Sequence, residues 1–452
     1  MNKRILAALL AGSMVLSLAA CGTTATPTAS PSEKASESAS AVAASSESPV
    51  ASETAAPVKL RIYAQYSDDD TKVPYDYAVE QLKKDMPNVE LELDVQAQDD
   101  GQKLKTYAAT GNLPDIFQAN LDIINAFKES SNILVLDDYV EKLGVKANLQ
   151  SGADNILYAP DGHVYAFPYA GNELNMLYVN KSVFEANGVT PPTTFDELVA
   201  VSKALNEKGI VPLTLFGAEK WICVSLFDTI AVQYDAGGVK KLDQGKAKMS
   251  DPAYTEAAKK FEELIKAGLV AKDATALNYD QARSLYYEGK AAMFLNGQWE
   301  ISDSTKNLGD KADWIPLPAV SADKIAESSA RVSGSGGPSG YAVSANAADK
   351  DTAAAVAAYI SQKYCDAKYL KRGTAILAMK PAEGLVPETP FPAMMDKLAK
   401  AIPGYTSYTA FDWGLGNATF KAGLEDACQR MLTGSYTAEQ FIADVDKVIA
   451  AN

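Results

Sequence analysis

Val89–Val95 alternates apolar and charged residues without a break, and helix-patterned stretches lie on both sides of it. A period of two over seven residues fits one face of a pleated strand and no face of a helix. Upstream, Leu60–Ala64 alternates in the same way, and Tyr75–Asp85 reads as a helix stopped by Pro87. Downstream, Gln102–Thr110 reads as a helix closed by Gly111, and Asp115–Phe117 after Pro114 reads as a short buried strand. The order strand, helix, strand, helix, strand predicts an α/β fold with a largely parallel sheet. Ligands of such sheets collect at the carboxyl ends of the strands. Here those ends are Gln65–Asp68, Gln96–Asp99 and Gln118–Asp122.

A second unit of similar make-up follows. Thr194-Phe195-Asp196-Glu197 is a capping box that opens a helix whose apolar face is Phe195, Leu198, Val199 and Leu205, ending at Gly209. Asp251-Pro252 opens another helix, stopped at Gly268. Ala291–Leu295 reads as a buried strand followed by a turn at Asn296-Gly297, and Pro316 and Pro318 mark an extended crossing segment. Helices then dominate: Thr352–Leu370, Ala393–Ala401, Ala418–Leu432 and Thr437–Ala450.

The beginning of the chain reads as an address. Lys3 and Arg4 precede an apolar run, Ile5–Leu18, and the small residues Ala19 and Ala20 stand before Cys21. That is the plan of a secretory signal, and the cysteine after the cut resembles the lipobox of bacterial lipoproteins. The expectation is a signal over residues 1–20 and a lipidated Cys21. A tether over residues 21–57, rich in Ser, Ala, Thr, Glu and Pro, lacks the apolar surface to order itself. As a flexible coil it would span roughly 35 Å. The protein is then expected on the outer side of the cell membrane, attached through its N-terminal lipid only.

Charge and cysteine usage exclude more than they identify. A formal charge of −15 argues against nucleic acid or an anionic bilayer as partner. Beyond Cys21 the cysteines are Cys223, Cys365 and Cys428, an odd number that cannot all pair within one chain. A Cys365–Cys428 disulfide is the lesser alternative to three small buried hydrophobes. With one histidine, His163, no zinc cluster of the usual kind assembles. Asp68-Asp69-Asp70 lacks the spacing of a calcium loop and reads as a solvated turn. No metal or cofactor is expected.

Asp161–Pro168 continues to Leu177–Lys181 and then to Pro191–Leu198, and this stretch resembles the signature of family 1 extracellular solute-binding proteins, the maltose-binding-protein-like receptors of ABC importers. Gly111–Asp115 is similar to the family's G-x-x-P-D element. Tyr287–Met293 with Gly297 and Trp299 is similar to its G-K-A-A-M…G-x-W element, and Ser335–Ser344 also fits. The resemblance implies a two-lobed periplasmic-binding-protein-like fold crossed three times, near Tyr165–Tyr169, Trp314–Pro318 and Lys371–Thr374. The N-lobe would be residues 58–168 plus 317–372, and the C-lobe residues 169–316 plus 373–452. It further implies a monomeric receptor that binds a sugar or oligosaccharide between the lobes and delivers it to ABC transporter permease subunits.

A sugar offers apolar C–H faces and a rim of hydroxyls, so aromatic platforms and planar hydrogen-bonding side chains hold it. The resemblance places Trp221, Trp299 and Trp413 as cleft aromatics, whereas Trp314 in the crossing strand is assigned to packing. Polar candidates come from strand ends and crossings: Tyr66 and Asp68, Asn120 and Asp122, Asn172 and Glu173. Gly337, with Gly336, would let the backbone approach a ligand closely. Three alternatives stand beside this reading: a sensory or adhesive polysaccharide-binding lipoprotein, a receptor for a non-sugar solute, and a glycoside hydrolase using Asp68 with Glu173. No G-x-S-x-G element is present, and a receptor rather than an enzyme is expected.

Overall fold

A computed structural model describes residues 56–99, 101–335 and 337–451. The signal, Cys21 and the tether up to residue 55 lie outside the described residues, as does Gly336.

In the first sheet, Val89–Val95, Val58–Ala64 and Ile116–Ala119 run parallel in that order. Gly340–Val343 then adds antiparallel to Ile116–Ala119, and Ala166–Phe167 closes the edge. The parallel part is the part that the sequence pattern predicts, and the antiparallel strand arrives from more than 200 residues downstream. Leu60, Ile62, Ile116, Phe167 and Val343 share one buried core with the long helix Lys350–Arg372. That helix packs along the helix Asp69–Asp85.

The helix Asp69–Asp85 begins a turn and a half earlier than its apolar pattern implies, because Asp68 caps it. The Asp68 carboxylate accepts the Thr71 N–H at 3.1 Å, and the Thr71 hydroxyl accepts the Asp68 N–H at 3.2 Å. Pro74 removes one helical N–H donor. The Asp70 carbonyl that this donor would have served accepts the Tyr364 hydroxyl at 3.3 Å instead.

The second sheet runs Val211–Thr214, Ala291–Gly297, Asn175–Asn180 and Ala312–Ile315. The first pair is parallel and the others are antiparallel. The predicted capping box at Thr194 and Glu197 is present on the helix Phe195–Asn206. Ala291–Gly297 continues through Asn296 and Gly297, where a turn was expected.

Two of the expected crossings lie elsewhere. Leu317 and Val332 pack in the second core, and Ala319 bridges Thr194, so Trp314–Pro318 stays within the second lobe. The second crossing instead follows Gly334, which bridges Leu174 of the first crossing. Leu377–Met379 pack in the first core and Met379 bridges Leu149. The chain therefore leaves the first lobe for the last time beyond Lys380, not at Lys371–Thr374, and Met394 is again in the second core. The apolar character of Leu317 and of Leu377–Met379 gave no sign of which core each would join.

Cys223 and Cys428 are buried in the second core and Cys365 in the first. All three are free, so the Cys365–Cys428 alternative is ruled out and the thiols serve as small hydrophobes.

Candidate functional site

The carboxyl ends of the first sheet's strands face the loops of the second lobe across a cavity of about 410 Å³. Its first wall is polar. Gln65 and Asp68 come from the end of Val58–Ala64, Gln96 and Asp99 from the end of Val89–Val95, and Gln118 and Asn120 from the end of Ile116–Ala119. The general rule for strand ends in α/β sheets is followed at three successive strands.

Two acceptors on this wall are buried and have no protein hydrogen bond: Oε1 of Gln96 and Oδ1 of Asp99. The other Asp99 oxygen accepts the Lys103 N–H at 2.9 Å. Gln118, by contrast, is saturated, since its Oε1 accepts the Gln65 N–H at 2.7 Å and its Nε2 donates to the Tyr341 hydroxyl at 3.2 Å. A buried acceptor without a donor costs about 1–3 kcal/mol, so the first wall is built to receive hydrogen-bond donors.

The second wall is aromatic. Trp221, Trp299 and Trp413 all line the cavity and form one cluster, with ring centroids 5.0 Å apart for Trp221 and Trp413 and 6.2 Å for each of the other two pairs. Trp299 lies directly on the backbone of Gly297, where a Cβ would fall 2.1 Å from its ring. The indole N–H of Trp221 donates to Glu219 at 3.4 Å. Tyr279 completes this wall, and its hydroxyl donates to the buried Glu300 at 3.0 Å while accepting Asn296 Nδ2 at 2.8 Å. Burial pushes the Glu300 carboxyl up to about 7.

Of the candidates named from sequence, Asp68, Asn120, Glu173, Trp221, Trp299 and Trp413 line the cavity. The other four do not, and each has a different task. The Tyr66 hydroxyl donates to Asp76 at 3.0 Å and its ring packs against Tyr75. Asp122 is buried in the first turn of a helix and ion-paired with Lys105 at 3.0 Å. Asn172 accepts hydrogen bonds from Asn155 at 2.9 Å and from the Ser335 hydroxyl at 3.1 Å, joining two crossing strands. Gly337 faces Leu121 and the Gly414 carbonyl instead. Trp314 is buried and donates to the Met394 carbonyl at 3.0 Å, as packing requires. Gln96, Asp99 and Tyr279 were missed as individual residues, although the first two belong to a strand end already marked as a place where ligand would collect.

Glu173 enters the cavity from the first crossing. Burial, helped by the nearby Asp70 and opposed by Lys368, pushes its carboxyl up to about 7. Asp68 is also raised, by burial and by Asp70. Beside them an ion network joins the two lobes. Arg372, on the first lobe's long helix, donates to Asp303 of the second lobe at 2.9 Å and to Asp70 at 3.4 Å. Lys368 pairs with Asp70, and Lys306 of the second lobe reaches Asp69 at 3.1 Å. Arg372 and Asp303 are both about 90% buried, so this link is shielded from salt.

Two lobes, an interlobe cavity and paired crossing strands define a bilobal binding protein. The sequence pattern described as bacterial extracellular solute-binding protein matches residues 68–363, and the chain belongs to that family. An uncharacterized ABC transporter extracellular-binding protein of Pyrococcus horikoshii is 26% identical over 333 residues, 70% of each chain. The maltotriose-binding protein of Pyrococcus abyssi is 29% identical over 237 residues, 52% of this chain and 49% of the relative. Among solved structures, one from work on xylan utilization by the thermophilic bacterium Caldanaerobius polysaccharolyticus superposes with a TM-score of 0.75 at 24% identity, covering 86% of this chain and 99% of the other. A chitin oligosaccharide binding protein superposes at 0.74 with 22% identity, covering 87% and 98%. The two-lobed solute-binding fold expected from the resemblance is therefore the fold observed. No helix among the described residues is long and apolar enough to cross a membrane.

Proposed function

We propose that the protein is an extracellular, lipid-anchored receptor that binds a sugar or oligosaccharide between its lobes and delivers it to an ABC import permease. One observation carries the reading of the ligand: a cluster of three indoles on one wall faces a row of amide and carboxylate acceptors, two of them unpartnered, on the other. A pyranose is the solute whose surface divides in that way, with C–H faces for stacking and hydroxyl edges for donation. Membership of a solute-binding family, and relatives named for maltotriose and for multiple sugars, support the same class.

The ligand is released unchanged. Asp68, one of the two carboxylates that a hydrolase would need, is engaged as a helix cap, where its carboxylate accepts a backbone N–H. The lipid anchor rests on Cys21 behind its leader, and delivery to a permease rests on the family.

A thermal-shift screen with maltotriose, raffinose, stachyose, xylo-oligosaccharides and chitin oligosaccharides tests the reading, because a ligand that binds only the folded state raises the melting temperature. At least one saccharide is expected to raise it and to change tryptophan emission. No shift with any saccharide, or hydrolysis of the one that binds, would overturn the proposal.

A further inference from the structure

One ring touches all three cleft indoles and does not itself face the cleft. Phe411 is 1% exposed and is absent from the cavity lining. It stacks on Trp413 with centroids 4.3 Å apart and planes 7° from parallel. It also lies 5.8 Å from Trp299 and 6.0 Å from Trp221. One face of Trp413 is thereby covered.

An edge of Phe411 rests on the second crossing. A Cβ on Gly334 would meet Phe411 Cε2 at 2.8 Å and the Glu173 carbonyl at 2.9 Å, and Gly334 adopts φ +99°, which side-chain-bearing residues rarely take. Ser335 follows with φ 88°, so the crossing begins in two consecutive left-handed residues. The segment that carries Phe411 is fastened at the same point. The Gly334 N–H donates to the Thr409 hydroxyl at 3.0 Å, and that hydroxyl donates to the buried Asp228. Asp228 also accepts the Ser333 hydroxyl at 2.6 Å and the Val239 N–H at 2.8 Å. Thr409–Trp413 is thus held on the crossing at one end and presents an indole at the other.

We propose that Phe411 is the positioning residue of the aromatic wall: it sets the three indoles from behind and ties them to the crossing strand at Gly334. Bending of the crossing and seating of a sugar ring then become one event, since a shift at Gly334 is passed through a close-packed ring to Trp413. The role in ligand seating rests on the sugar-receptor reading above, whereas the ordering of the indoles does not.

The test replaces Phe411 with Leu in the full chain. Phe261→Leu removes the same volume from the same lobe, at a site that packs on Phe227 and Phe441 and not on the indoles. The first readout needs no ligand: acrylamide quenching of tryptophan emission should rise at least twofold in Phe411→Leu and stay at the wild-type value in Phe261→Leu. The second is calorimetric titration with maltotriose, raffinose and chitotriose, where any sugar bound by the wild type should bind Phe411→Leu at least tenfold more weakly and Phe261→Leu within threefold. If Phe411→Leu does not fold, Phe411→Met puts a longer, flexible apolar chain in place of the flat ring and carries the same two expectations. Quenching equal in both variants would overturn the proposal, as would equal affinity. If none of these three binds the wild type, the thermal-shift screen decides the sugar reading separately, and quenching alone decides the place of Phe411.

Discussion

The two walls of the cleft are assembled by opposite means. The polar wall is a property of one sheet: three neighbouring parallel strands end side by side, and the residues just past each end face the cavity together. The aromatic wall has no such frame. Trp221, Trp299 and Trp413 come from three segments separated by 78 and 114 residues, each at or beside a helix start, and they meet because they pack on one another and on Phe411. The difference teaches that hydrogen-bonding specificity here is set by backbone topology, while the stacking surface is set by side-chain packing. Substitutions should therefore act differently on the two walls.

The link that holds the walls at a fixed separation should give the largest effect. Arg372→Met leaves Asp303 and Asp70 buried beside each other's lobe with one cation fewer. Removing one partner of a buried pair costs about 3–5 kcal/mol, and Lys368 and Arg283 remain near these carboxylates, so the lower end of that range is expected for unfolding in urea. A loss below about 1 kcal/mol would mean that the walls are held by the crossings alone.

Trp413→Ala strips the aromatic wall of the ring whose back is already covered. Buried aromatic anchors of this kind contribute about 2 kcal/mol or more to binding, and the loss should appear in calorimetric affinity with little change in melting temperature, since Trp413 is only partly buried. Trp299→Ala should follow the same direction by more than about 1 kcal/mol. Unchanged affinity in both would place the stacking surface elsewhere and dissolve the contrast between the walls.

Much of this architecture was legible in the chain. The first two strands follow from period-two patterning and the third from the short apolar run after Pro114, and the strand-end rule pointed to the polar wall. The indoles were found through the family resemblance, which places these three in the cleft, and they are the residue type that a sugar face requires. What escaped has a common physical cause. Tyr66 and Asp122 stand at the right strand ends, yet each meets a local partner, Asp76 or Lys105, that draws it out of the cavity. Asn172 looked like a ligand contact because it follows a crossing, and it is spent on joining the crossings. Local hydrogen bonds of this kind are decided by side-chain direction, which spacing along the chain does not carry. The positions of the second and third crossings were hidden for a similar reason: Leu317 and Leu377 are equally apolar, and only tertiary packing assigns them to different cores.

Glu173 stands between the walls and gives the comparison a pH axis. Its carboxyl titrates near 4.5 when the chain is unfolded and is pushed up to about 7 in the folded protein, mainly by burial. The folded state then binds the proton more tightly, so this group lowers stability progressively as pH rises from about 4.5 to about 7, and no further above that. Glu300, also raised to about 7, and Asp228, raised to about 6, act in the same direction. Glu173→Gln removes one of these titrations, and its melting temperature should fall less steeply than that of the wild type across this window. Parallel curves would show that Glu173 is ordinarily solvated.

The smallest effect is the most diagnostic of the polar wall, because affinity and stability should move in opposite senses. Gln96 lines the cavity and carries a buried oxygen with no hydrogen-bond partner in the protein. If that oxygen accepts a sugar hydroxyl, Gln96→Ala should weaken binding by about 1 kcal/mol. The same change removes a desolvated acceptor from the free protein, so the melting temperature without ligand should hold or rise. Gln118→Ala makes the control, since Gln118 is satisfied within the protein and its loss strands the Gln65 N–H and the Tyr341 hydroxyl. There the melting temperature should fall. A fall in stability for Gln96→Ala as well would mean that its amide is structural, and Asp99 would then be the one unpartnered acceptor left on the polar wall among the described residues.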